Sequence, residues 1–171
     1  MAKILVTADI HGSMAAWLTV QALMSEQDSL VVAGDLFDTR YGNYGSQDFQ
    51  PDHIRSDLKS FDHPFYYVYG NCDVESYYPG QSHEKQFLVF GKTILLHHGH
   101  KTGIDHTRAD IIIQGHTHLC SLEKKQNKIF LNPGSIALPR NNLATYASID
   151  EKGISLLALK TGKPLASISF S

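Results

Sequence analysis

Lys3-Ile4-Leu5-Val6-Thr7-Ala8-Asp9-Ile10-His11-Gly12-Ser13 is the stretch that decides the fold. Lys3 to Ala8 is a short apolar run with β-branched residues, which reads as a buried strand. It ends on two side chains that carry chemistry, Asp9 and His11. Ser13 can then cap a helix from about Met14 to Glu26, with Ala16, Trp17, Val20, Leu23 and Met24 on one face at helical spacing. Ser29 to Ala33 forms a second buried strand and ends at Gly34-Asp35. A strand–helix–strand unit predicts two parallel strands and an α/β fold.

The same grammar continues downstream. Phe37 to Gln50 reads as a loop, and Pro51 opens a second helix with Ile54, Leu58 and Phe61 inward. Phe65 to Tyr69 is a third strand, ending at Gly70-Asn71-Cys72-Asp73. Thr93 to Leu96 ends at His97-His98-Gly99-His100, and Ile111 to Ile113 ends near Gly115-His116-Thr117-His118. Beyond these, Leu119–Lys125, Lys128–Leu131, Tyr146–Asp150, Ile154–Ala158 and Ser167–Phe170 read as shorter strands. They are joined by turns at Gln126-Asn127 and Glu151-Lys152-Gly153, which predicts an antiparallel half. With no repeat and no linker, residues 1–171 are expected to form a single domain.

Composition narrows the function classes. The 171 residues are 42% hydrophobic and 19% charged with a formal net charge of −2, so no extended nucleic-acid groove or polybasic membrane surface is expected. The first apolar run is too short for a signal peptide and no later segment suits a bilayer span; the cytoplasm is the expected location. Cys72 and Cys120 match neither a disulfide framework nor a zinc ribbon. Histidine is the unusual component: six of the ten lie between His97 and His118, and histidine is the commonest metal ligand.

Five polar clusters follow five strands, where sites gather in sheets of parallel strands. Singly, each has an ordinary reading as turn or cap residues. Together, in this order, they describe a metal site. Carboxylate, imidazole and amide oxygen suit divalent manganese, iron, zinc, nickel or magnesium. Two ions about 3.5–4 Å apart can hold both phosphate oxygens and a bridging hydroxide, so no serine or cysteine nucleophile is needed.

The series Asp9-Ile10-His11, Gly34-Asp35, Gly70-Asn71-Cys72-Asp73, His98-Gly99-His100 and Gly115-His116-Thr117-His118, with Asn132-Pro133-Gly134-Ser135, resembles the calcineurin-like metallophosphoesterases. The short chain and the Gly-Asn-Cys-Asp form resemble their small bacterial and archaeal phosphodiesterase branch, the YfcE-like proteins. The resemblance implies a two-sheet sandwich of mixed strands flanked by helices, with a dinuclear centre at the strand ends. It implies Asp9, His11 and His118 on one ion, Asn71, His98 and His116 on the other, and Asp35 between them, with manganese the favoured metal. The substrate would be a small phosphoester, most readily a diester, with a homo-oligomer left open.

Two departures from the family pattern matter. Many relatives have histidine where this chain has Cys72, so the general acid is unassigned and His100 is its first candidate, beside Asn71 and Asp35 as catalytic residues. Lys101 to Asp110 is short, with room for about one helical turn. Arg40, Cys72 and Asn132 are candidates for substrate contact, although a loop arginine is usually only solvated, and the resemblance also implies that Asn132 or neighbouring backbone groups could steady the metal ligands beside the cleft. Asp73 could orient a ligand or simply shape a turn, and Asp38 could cap its loop. The alternatives are a phosphomonoesterase or nucleotidase, which would differ in its loops, and a binding scaffold like the eukaryotic retromer subunit of this fold, whose ligand set is altered.

Overall fold

The computed structural model describes residues 2–170. Its first strand, β1 (Ile4–Thr7), is buried on both faces. Ile4 and Val6 enter one apolar cluster and Leu5 another, which explains a run with no polar alternation. β1 pairs in parallel with β2 (Ser29–Val32), and β2 in parallel with β3 (Phe65–Tyr67). The connecting helices α1 (Met14–Ala22) and α2 (Pro51–Asp57) lay Trp17, Val20, Ile54 and Leu58 against Leu5, Leu30 and Tyr67. Trp17 Nε1 donates to the Asp57 carboxylate at 3.0 Å, tying the helices together.

Five further strands make a second sheet: β4 (Glu84–Val89), β5 (Lys92–His97), β6 (Ile111–Ile113), β7 (Cys120–Lys125) and β8 (Lys128–Pro133). The last three, β9 (Thr145–Asp150), β10 (Gly153–Ala158) and β11 (Pro164–Ser169), return to the first. The orders are β11-β10-β9-β1-β2-β3 and β4-β5-β6-β8-β7. Val31 and Ile149 of the first sheet meet Ile94, Leu96, Ile111 and Ile113 of the second in one core. Each sheet therefore contains a parallel set, β1-β2-β3 and β5-β6-β8. Among the described residues, no helix is long and apolar enough to cross a membrane.

Apart from shifts of one or two residues at strand ends, the structure differs from the sequence reading in five places. α1 stops at Ala22 instead of Glu26, because buried Asp28 accepts from Ser25 N and Lys3 N and turns the chain toward β2. β4 was not anticipated; its Glu84-Lys85-Gln86 start hides an edge strand whose alternate residues are exposed. Its signal was Phe90-Gly91, both left-handed, in the two-residue turn to β5. The later half is antiparallel except that β8 lies parallel to β6. β11 begins at Pro164 instead of Ser167. Finally, 101–110 contains no helix, only a single turn in which Ala109 N donates to His106 O at 3.1 Å. Lys128 Nζ donates to the carbonyls of His106, Thr107 and Ala109 at 2.7, 3.0 and 2.6 Å and holds this segment as a loop. Both helices thus cover the first sheet, while Ile104 and Ala109 cover Leu95 and Ile112 of the second.

Ile111 is fully buried between the sheets, whereas Leu88 on the edge strand is 72% exposed. Ile111→Ala should destabilise the fold by about 2–5 kcal/mol, and Leu88→Ala by under about 0.5 kcal/mol. Urea unfolding monitored by tryptophan fluorescence measures both; equal effects would contradict this packing.

Candidate metal centre

The loops after β1 and β2 run side by side. Asp9 N donates to Gly34 O at 3.1 Å, and His11 N to Asp35 O at 2.8 Å. The loop after β3 is fastened to them by buried Asp73, whose carboxylate accepts from Phe37 N, Asp38 N and Gly70 N. Gly70 packs so closely that a Cβ there would overlap the Asp35 carboxylate, which explains why glycine precedes Asn71. From the second sheet, His98 Nδ1 donates to Ala33 O at 2.7 Å, and His116 N donates to the Asp9 carboxylate at 3.0 Å. Residues from both parallel sets thus meet at one end of the sandwich.

The imidazoles are oriented by their outer nitrogens. His98 Nδ1 is bonded to Ala33 O, His118 Nδ1 to Leu138 O at 2.7 Å, and His11 Nδ1 to the Asp38 carboxylate at 2.8 Å. In the neutral ring, a proton held at Nδ1 leaves a lone pair on Nε2, the tautomer suited to metal binding. The three Nε2 atoms converge. His11 Nε2 lies 3.2 Å from His118 Nε2, and His118 Nε2 lies 3.4 Å from Asp9 Oδ1. His98 Nε2 lies 3.1 Å from both Asp35 Oδ2 and Asn71 Oδ1. Asp35 Oδ2 is also 3.9 Å from His11 Nε2, while its Oδ1 accepts from Cys72 N at 2.8 Å.

Two lone-pair nitrogens facing each other at 3.2 Å repel unless a cation or proton stands between them. Donors about 2.1 Å from an ion and at right angles to one another stand about 3 Å apart. The donor set therefore fits divalent ions. Asp9, His11 and His118 bring their donor atoms within 4.8 Å of one another, and so do Asp9, Asp35 and His98. Asn71 joins the second group through Oδ1. His116 is the loosest of the seven, with its ring 5.1 Å from that of His98.

Electrostatics point the same way. Burial pushes the Asp9 carboxyl up to about 7, against the opposing pull of His98. Burial also acts on Asp35, but the hydrogen bond and charge of His98 reverse it and bring that group to about 2. His11 and His98 are raised above their ordinary value: burial opposes this, but Asp38 overcomes it for His11 and Asp35 for His98. Among the described residues, the ion-pair partners of Asp9 and Asp35 are all histidines. The backbone is strained here as well: Asp9, His11, Asp35, Asp38, His116 and His118 all have φ between 50° and 71°, a left-handed conformation unusual for non-glycine residues and concentrated at functional sites.

The profile for the Calcineurin-like phosphoesterase superfamily domain matches residues 2–153. The chain belongs to that superfamily. It is 29% identical over 183 aligned residues to Phosphodiesterase YfcE of Escherichia coli K12, covering all of both chains. The solved structure of YfcE, described as a phosphoesterase from E. coli, superposes with a TM-score of 0.83 at 28% identity, covering 99% of this chain and 100% of that one. Vacuolar Protein Sorting 29 of Cryptosporidium parvum shares the fold, with a TM-score of 0.69 at 20% identity, covering 99% and 98% of the two chains.

The other sequence candidates fall into different places. His100 sits beside the centre, its ring 5.3 Å from His98. Arg40 is exposed and its backbone N donates to Cys72 O. Asn132 is 2% exposed, and its amide is fully occupied: it donates to Gly115 O and Thr117 Oγ1 and accepts from Gly134 N. It thereby holds the loop of His116 and His118, in keeping with the reading of Asn132 as a residue that steadies the metal ligands. The sequence reading gave no role to Ser135, whose hydroxyl donates to Asp9 O at 2.7 Å. Nor did it note Arg140, whose N donates to His118 O at 3.5 Å. Burial first, and the Arg140 charge among smaller effects, lower both His116 and His118. The Asn132-Pro133-Gly134-Ser135 motif was the available signal for Ser135.

Asp38→Asn removes the anion that orients His11 and should weaken manganese affinity by about 10–100-fold, read by isothermal titration. Binding must displace protons from raised groups such as Asp9 and His98. Affinity should therefore fall as pH drops from 8 to 6, by about tenfold per unit for each proton displaced; a pH-independent affinity would refute this.

Proposed function

We propose that this chain is a metal-dependent phosphodiesterase with a dinuclear centre, acting as one domain on a small phosphoester. Asp9, His11 and His118 would hold one divalent ion and Asn71, His98 and His116 the other, with Asp35 Oδ2 shared. The observation that carries this reading is the convergence of three tautomer-fixed Nε2 atoms on two buried carboxylates whose ion-pair partners, among the described residues, are all histidines. Ions bound there supply Lewis-acid charge to a phosphoryl group and lower the pKa of a water molecule toward neutrality. Manganese is the ion we infer, since the donors are carboxylate, imidazole and amide oxygen without a required thiolate. The cytoplasm is the inferred location, where two free cysteines are expected to stay reduced.

The protein's own groups shape the reaction around that charge. Asp38, Ala33 O and Leu138 O keep three imidazoles aimed inward. Arg140, beside His118, would meet a non-bridging phosphate oxygen; Arg40 is the second candidate. Burial, and then the charge of Asp35, push the Cys72 thiol well up, so Cys72 stays neutral and offers neither a thiolate nor a usable acid. Burial and the neighbouring His98, His83 and Lys101 bring His100 down to about 4. At neutral pH its ring would orient a leaving oxygen more readily than protonate it. Diester preference is supported by the relative named as a phosphodiesterase.

The test is turnover of bis(p-nitrophenyl) phosphate with manganese, set against p-nitrophenyl phosphate. The diester should be cleaved faster; the reverse order would favour a monoesterase, and neither turnover nor bound metal would favour a scaffold. Asp35→Asn should lower metal occupancy and reduce turnover by about a hundredfold or more. With little acid assistance, diester rates should fall steeply as the leaving-group pKa rises, and a flat dependence would overturn that part of the reading.

A further inference from the structure

We propose that the cleft beside His11 seats one ester arm of the substrate and selects an uncharged, ring-bearing group such as a nucleoside, sugar or aryl alcohol. This rests on the phosphodiesterase reading and adds the substrate class to it. The cleft has a volume of about 170 Å³, below the roughly 300–1,000 Å³ usual for whole drug-sized ligands, so it suits a single ring of one ester arm and not an entire substrate. His11 forms part of its wall, so an arm seated there would remain attached to a phosphate at the metal centre.

The lining explains the selectivity. Phe49, Ala137 and Leu138 supply an apolar surface, backed by buried Ile10. Phe49 is fixed: its ring meets Tyr44 edge-on at 4.9 Å, and a Cβ on Gly12 or Gly42 would overlap it. Asn43 and Ser46 add uncharged polar groups suited to ring hydroxyls or carbonyls. The charged groups in the wall are all acidic or histidine: Asp38, Asp48 and His11, with no lysine or arginine. Both carboxylates are locked in place. Asp38 accepts from His11 Nδ1 and Tyr41 N, and Asp48 from the Ser13 hydroxyl at 2.6 Å and Ala15 N at 2.8 Å. They are held facing the cleft, and an arm carrying a carboxylate or second phosphate would meet like charge there, with no lysine or arginine in the wall to balance it.

The experiment compares p-nitrophenyl diesters with one shared leaving group and a variable second arm: phenyl, methyl or 4-carboxyphenyl. The manganese-loaded protein should show kcat/KM about tenfold higher for phenyl than for 4-carboxyphenyl, with methyl below phenyl. Ser46→Arg should narrow the phenyl-to-carboxyphenyl ratio and Asn43→Asp should widen it, opposite signs that a folding defect cannot mimic. Equal rates on the two aryl arms, or variants that move both equally, would overturn the inference. If no diester is cleaved, the phosphodiesterase reading fails, and the cleft is judged by titrating thymidine into nitrogen-labelled protein. Amide shifts clustered at residues 43–49 would support it, and their absence would remove it.

Discussion

Burial of carboxylates without a lysine or arginine to balance them is the constraint around which this molecule is organised. Asp9 is fully buried and Asp35 nearly so, and their ionic contacts are with imidazoles. Histidine is a poor permanent counter-ion, because its charge is gained and lost around neutral pH. Such an arrangement costs free energy unless further positive charge enters. The same feature that weighs against folding alone gives the site its affinity for divalent ions.

Much of the surrounding structure serves to hold that arrangement still. Parallel strands from two sheets deliver short loops to one end, and buried polar side chains fasten the loops to each other. Asp73 gathers three backbone amides, Asn132 spans the turn that carries His116 and His118, and Ser135 reaches Asp9 O across 126 residues of sequence. None of these need touch a substrate. Their effect on chemistry would be exerted through the position of others, since small displacements of catalytic groups have large rate effects.

The central strands were legible because burial on both faces leaves a continuous apolar signature, as in Ile4–Thr7 and Ile111–Ile113. The donor residues were legible because they follow those strands as repeated polar clusters. β4 was obscured because an edge strand with one solvated face can open with Glu84-Lys85-Gln86 and still pair. The loop at 101–110 depended on Lys128, a residue about 20 positions away, and no local pattern encodes such a tether. Asn132 was read in two ways, toward substrate or toward steadying the metal ligands; its bonds to Gly115 O, Thr117 Oγ1 and Gly134 N match the second, through partners that no local pattern encodes. The outer partners of His98 and His118 are carbonyls of Ala33 and Leu138, whose side chains say nothing about that role.

The left-handed backbone at Asp9, His11, Asp35, His116 and His118 has an evolutionary side. Each such residue carries a conformational cost of the order of 1 kcal/mol that glycine would largely escape. A drift to glycine at His118, for example, would relax the chain while deleting a donor nitrogen. Selection for stability alone would thus erode this chemistry one residue at a time and leave the sandwich intact. At these five positions stability and metal binding therefore pull in opposite directions.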